Sequence, residues 1–124
     1  MGYSNMFFED FIIEIPKIPE KELEKFEAKS ILYSNYLLEY TNYRVLHNPL
    51  RKFPYSTVCN IDGNLFKKIK RSELFCGKGD SWKKDVRIPK EHQLGHELYK
   101  AEKSDFDKGH LTKLEDLQWV YYKC

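Results

Sequence analysis

Two runs dense in aromatic and β-branched residues, Ile31–Val45 and Phe53–Ile61, are separated by Asn48-Pro49 and closed by Asp62-Gly63. Ile31, Leu32, Tyr33, Tyr36, Leu37, Leu38, Tyr40, Tyr43 and Val45 crowd the first run, and the second alternates well enough for a strand. Side chains of these types fit a pleated, half-buried surface, and the Asn, Pro and Gly at the breaks favour turns over continued helix. The pattern therefore predicts strands joined by turns, that is, an antiparallel sheet. Asp62-Gly63 reads as a hairpin turn because glycine tolerates positive φ, and the hairpin is expected to continue through Leu65, Phe66 and Ile69.

Before the strands, Pro16 and Pro19 stop any regular element, since proline lacks a donor and restricts the residue before it. Pro19 followed by Glu20, Lys21, Glu22, Leu23, Glu24, Lys25, Phe26, Glu27 and Ala28 predicts a helix. Proline suits its first turn, and the acids complement its positive end. Leu23 and Phe26 give it a narrow apolar stripe. Met1–Ile15 holds Phe7, Phe8, Phe11, Ile12, Ile13 and Ile15, broken by acids, and reads as a strand or a docking segment. A chain of 124 residues allows one modest domain. The expected organisation is an extension with one helix over 1–30 and the main domain over 31–124.

The formal net charge of +2 hides an uneven distribution. Residues 1–30 carry seven acids against four lysines, whereas residues 51–90 carry eleven Lys or Arg against four acids. A basic middle of this kind attracts polyanions and raises their encounter rate, although a solvated lysine-rich face gives the same count. No apolar run reaches the ~20 residues of a membrane-crossing helix, and no secretory signal opens the sequence as given, so the default expectation is the cytoplasm. Cys59, Cys76 and Cys124 lack the short paired spacing of a zinc ribbon or a redox centre. A reducing compartment with Cys59 as a small core residue fits them, and a Cys59–Cys76 bridge is the alternative.

Two local patterns are decoys. Gly77-Lys78-Gly79 resembles a phosphate-cradling turn, but the remaining P-loop spacing and its Lys-Ser or Lys-Thr are absent. His92 and His96 stand four apart, as in the His-Glu-x-x-His zinc peptidases, yet Gln93 occupies the place of the glutamate base and Gly95 weakens a helix. Two surface histidines is the better reading.

The stretch Ser104–Leu111 is different in kind. Its Asp107-Lys108-Gly109-His110 resembles the Asp-Arg-Gly-His signature of the DNA/RNA non-specific endonucleases, the sugar-non-specific nucleases with a ββα-metal site. Further phrases stand upstream in the expected order: Phe53-Pro54-Tyr55 running to Asn60-Ile61-Asp62-Gly63, then Trp82–Pro89, then Gln93-Leu94-Gly95. The resemblance covers about Leu38 to Trp119. It implies His110 as the general base, a role that suits histidine because an imidazole can accept a proton near physiological pH. It implies a phosphate contact at Lys108, where the family has arginine. Lysine keeps the charge and loses the planar fork, so the contact is expected to be weaker. Arg87 and the lysines from Lys67 to Lys84 are further candidates for sequence-independent phosphate contact. Asp107 and Gly109 are expected to be structural, the first orienting its neighbours and the second allowing a close approach or a turn.

The resemblance also implies one divalent cation, usually Mg2+, held by an asparagine on a helix downstream of the histidine. Fourteen residues follow His110 and none is Asn, and the family's Asp-Pro-x-Trp-Gly phrase decays here to Asp116-Leu117-Gln118-Trp119-Val120. The metal ligand is therefore unknown. The expected fold is α+β, an antiparallel sheet of ββα-metal type without its C-terminal metal-binding helix, with the early helix packed at one edge. The expectation is a truncated or split domain whose remaining half is a second chain, a partner subunit or lost, with uncovered apolar surface that invites self-association. The leading functional expectation is a metal-dependent endonuclease domain acting on DNA or RNA. The alternatives are a catalytically incomplete nucleic-acid-binding module and a protein-interaction fragment whose acidic front contacts a partner.

Overall fold

The computed structural model describes residues 3–29, 31, 34–70, 73, 82–102 and 105–112. Cys76, Cys124, the Gly77–Gly79 loop, Ser104 and the Asp116–Val120 phrase lie outside them. Helix α1 spans Glu20–Ala28. The three strands are β1 (Leu37–Glu39), β2 (Tyr43–Asn48) and β3 (Phe53–Cys59), and a one-turn helix α2 covers His96–Tyr99. The strands form one antiparallel sheet in the order β1-β2-β3. The architecture is α+β.

Helix α1 begins where the proline predicts. Pro19 sits at its N-cap with φ −58°, and its carbonyl accepts from the amides of Glu22 and Leu23 at 2.9 and 3.1 Å. Phe26 is the fully buried residue of this helix, packing with Ile31 and Tyr36 and flanked by Ile18, Leu23 and Leu50. The rings of Phe26 and Tyr36 lie 4.9 Å apart, and the Tyr36 hydroxyl donates to the Ile31 carbonyl at 2.6 Å. Burial of a side chain like Phe26 contributes about 1.5–3 kcal/mol, so this small cluster fixes the helix. Tyr55 on β3 donates its hydroxyl to Glu22 Oε2 at 3.0 Å, which ties α1 to the β3 edge of the sheet.

Leu38 faces Val45 across β1 and β2, and Ile88 covers both from a loop, making a second cluster with Tyr40 and Tyr43 around it. A turn over 49–52 joins β2 to β3. Asn48 organises it: its side-chain oxygen accepts from the amides of Leu50 and Arg51, both at 3.1 Å, and its carbonyl accepts from Lys52 N at 2.8 Å. Lys52 closes the turn with φ 61°, a left-handed conformation. Between Leu46 and His47 the β2–β3 register slips by one residue, so that Tyr55 is an extra residue on β3.

Two expectations change. The hairpin beyond Asp62 stops after its turn: Asp62 accepts from Asn64 and Leu65, but 66–70 is not strand, and Leu65 and Phe66 are more than half exposed. Adjacent apolar residues point to opposite faces of a strand, and with Lys67, Lys68 and Lys70 beside them no continuous apolar face exists to bury. The front segment is not a strand either. It doubles back through a Phe8–Phe11 bridge and an Ile13 N to Asn5 O bond of 2.9 Å. Asn60 then clasps the Ser4 backbone with both ends of its amide, at 2.7 and 3.0 Å. Residues 105–110 carry no strand ladder. Thr57 on β3 meets this segment through its hydroxyl, which donates to Leu111 O at 3.0 Å.

Candidate functional site

The loop from Trp82 to Gly95 is held over the sheet by a clamp centred on Asp85. Tyr40 donates its hydroxyl to Asp85 Oδ2 at 2.6 Å. Arg87 grips the same carboxylate through Nε and Nη2, at 3.0 and 2.6 Å, and donates Nη1 to the Glu39 carbonyl at 2.9 Å. The guanidinium also lies 4.8 Å from the centre of the Tyr40 ring, which in turn stacks on Tyr43 at 4.7 Å. Buried Gln93 completes the clamp with its whole amide: the oxygen accepts from Asp85 N at 2.8 Å, and the nitrogen donates to the carbonyls of Asp85 and Ile88 at 2.8 and 2.7 Å.

The charges follow from these contacts. The Arg87 fork holds the Asp85 carboxyl well below the usual carboxylate range, with Tyr40 adding to it. Burial, then the Asp85 contact, pushes the Tyr40 hydroxyl far up. Beneath the loop, buried His47 donates Nε2–H to the His92 carbonyl at 2.9 Å, and burial lowers the pKa of its ring.

Beyond the clamp the loop and the Lys108-Gly109 segment enclose a cleft of about 290 Å3. Trp82, Leu94 and Tyr99 give it apolar walls, and Lys83, Lys84 and Lys108 give it cations. Lys108 donates to Nδ1 of His96 at 3.0 Å and stands 5.9 Å from the centre of the Tyr99 ring. Lys84 pairs with Glu97 at 2.7 Å and holds that carboxyl below its ordinary range. This pair crosses Gly95 so closely that a Cβ there would meet Lys84 Cε at 2.2 Å. Gly95 thus admits the lysine into the cleft wall. His110 is exposed, and its ring meets that of Trp82 with centres 5.0 Å apart and planes at 55°.

The structure therefore gathers Lys108, Gly109 and, through Trp82, His110 about one cation-lined cleft. Asp107 is exposed beside it. Gly109 has open space where a side chain would go, so neither a tight turn nor internal packing requires glycine there. Arg87 is committed to Asp85 and Glu39, which makes it a positioning residue for the loop. In the sequence, Gln93 stands in the Gln93-Leu94-Gly95 phrase and His96 reads as a surface histidine, and neither is assigned a role at the cleft. Gln93 works through contacts five and eight residues away, and His96 meets its lysine twelve residues on. His92 and His96 do not share a helix face, because Gln93 and Gly95 between them are extended.

Among the described residues no three His, Cys, Asp or Glu side chains converge as a metal site, and Glu97, the carboxylate of the cleft, is held by Lys84. The described side chains thus do not by themselves form a cage for a hard cation, which takes oxygen ligands. No helix among them is long and apolar enough to cross a membrane.

Comparison with known proteins gives an independent reading. The profile of a family described as DNA/RNA non-specific endonuclease matches residues 24–122. The chain is also 38% identical over 89 residues to an uncharacterized protein, y4fB, of Sinorhizobium fredii. That match takes in 67% of this chain and spans 12% of the relative's length. No solved structure matches.

Proposed function

Because the chain belongs to the DNA/RNA non-specific endonuclease family, we propose that it hydrolyses phosphodiester bonds of DNA or RNA at the cleft beside His110. The observation that supports this reading most is the shared position of Lys108 and His110 next to a cleft whose other cations are Lys83 and Lys84. His110 accepts a proton from water as the water oxygen attacks phosphorus, and an exposed imidazole against Trp82 is accessible for that step. Lys108 places positive charge on the phosphate, held toward the cleft by His96. The 3′ oxygen departs and takes a proton from solvent, leaving a 5′-phosphate and a 3′-hydroxyl. Contacts of this type ignore base identity, in keeping with a non-specific substrate range.

Family members are typically metal-dependent, and a ββα-metal site with magnesium is the finer form of this proposal. The sheet β1–β3 would be its strand part. The test is degradation of plasmid DNA and of RNA with magnesium and with chelator, for the wild type and for His110→Ala. The substitution is expected to reduce cleavage by about 10²–10⁴-fold while DNA binding persists. Lys108→Arg, which restores a planar fork, is expected to raise the rate. Cleavage untouched by His110→Ala removes that imidazole from the chemistry. Salt-sensitive DNA retardation without cleavage selects the binding-module alternative.

A further inference from the structure

A groove that grips only phosphate has no use for apolar walls, yet Trp82, Leu94 and Tyr99 wall the cleft beside its lysines. Trp82 is the informative member, because one ring both lines the cleft and meets His110. At about 290 Å3 the cleft lies at the small end of ligand pockets, which run from roughly 300 to 1,000 Å3. That is room for one nucleobase and too little for a base pair. We propose that this cleft is a base-stacking subsite, in which an unstacked base of a single-stranded segment packs against Trp82 and Tyr99.

The proposal deepens the nuclease reading and rests on it. A base seated against Trp82 brings its own phosphate past Lys108 toward His110, so stacking and chemistry share one nucleotide. Stacking on an aromatic side chain tolerates every base, because each has a π face, and so preserves non-specificity. It discriminates by strandedness instead. A base in a duplex must first be unpaired and unstacked before it can enter, whereas a single strand offers its bases directly. The expected preference for single strands is on the order of tenfold or more.

The experiment uses the full chain carrying His110→Ala, so that probes survive, and Trp119→Phe, so that Trp82 is the reporting tryptophan. Three labelled probes of about twelve nucleotides, within the span of single-strand sites, are titrated by anisotropy: a single DNA strand, the same backbone without bases, and a duplex. The single strand is expected to bind about tenfold more tightly than the baseless strand and to quench Trp82, which the baseless strand leaves bright. Tyr99→Ala should shrink the difference. Trp82→Ala should shrink it further, and Trp82→Phe should retain most of it. Equal affinity for strands with and without bases overturns the stacking subsite and leaves the phosphate-based nuclease reading standing. Absence of binding to all three probes overturns both.

Discussion

Removing the Asp85 carboxylate should unfasten the loop that carries the cleft, and the size of the effect follows from its partners. In Asp85→Ala the Tyr40 hydroxyl, the Arg87 amide and the Arg87 fork each lose an acceptor. An unsatisfied, partly buried hydroxyl costs about 1–3 kcal/mol. The Arg87 side chain is 38% exposed against 12% for Asp85, so water recovers most of its share, and that contact is counted at no more than about 1 kcal/mol. The expected loss is about 3 kcal/mol, a large part of the roughly 5–15 kcal/mol that holds a domain together. At about 2.1 cal/mol/K per residue of unfolding entropy, this corresponds to a fall in Tm of about 10 °C at neutral pH, read by circular dichroism. Tyr40→Phe, which removes one hydrogen bond, should cost about 1 kcal/mol. The pH dependence supplies a second check. Because the folded Asp85 titrates below its unfolded value of about 3.9, its contribution is complete above that value and disappears as pH falls through the folded pKa. The gap between wild type and variant should therefore close in acid. A Tm change under about 3 °C at neutral pH, or a gap that persists at low pH in urea titrations, would refute the clamp.

Two other perturbations probe independent parts of the fold. Burial lowers the pKa of His47, so the unfolded chain binds the proton more readily. Stability from this residue is complete above the unfolded pKa of about 6.5 and drains away as pH falls; denaturant melts should show a steeper loss from pH 7 to 5 in the wild type than in His47→Gln. Lys52→Gly should raise Tm by a few degrees, because relief of a left-handed lysine, worth about 1–2 kcal/mol, exceeds the added chain entropy of glycine, about 0.5–1 kcal/mol; an unchanged or lower Tm would show that the turn is not strained.

What could be read in advance was whatever neighbouring residues decide among themselves. Proline and acids fixed the start of α1, and Asn48-Pro49 fixed the turn between β2 and β3. The short turn at Lys90–His92 likewise follows Pro89. Failures came where a segment depends on something to pair with. Leu65 and Phe66 look like strand residues until no sheet edge receives them, and the Phe- and Ile-rich front folds back on itself. For the candidate site, the motif points to His110 and Lys108, the residues on which the proposed function rests. It could not reveal that Arg87 would be taken by a carboxylate two residues away, nor that His96 would meet Lys108. A guanidinium in a basic stretch looks like a phosphate ligand, and only the loop's path shows that it holds the framework.

The irregular outer strand carries one last implication. Among the described residues β3 is one of the two outer strands of the sheet, and it exposes Phe53 and Tyr55, the sort of surface that recruits other extended chains. Pro54 offers no amide to a newcomer, and the supernumerary Tyr55 twists the strand out of line. Both features oppose edge-to-edge pairing of β3 with a second copy of itself.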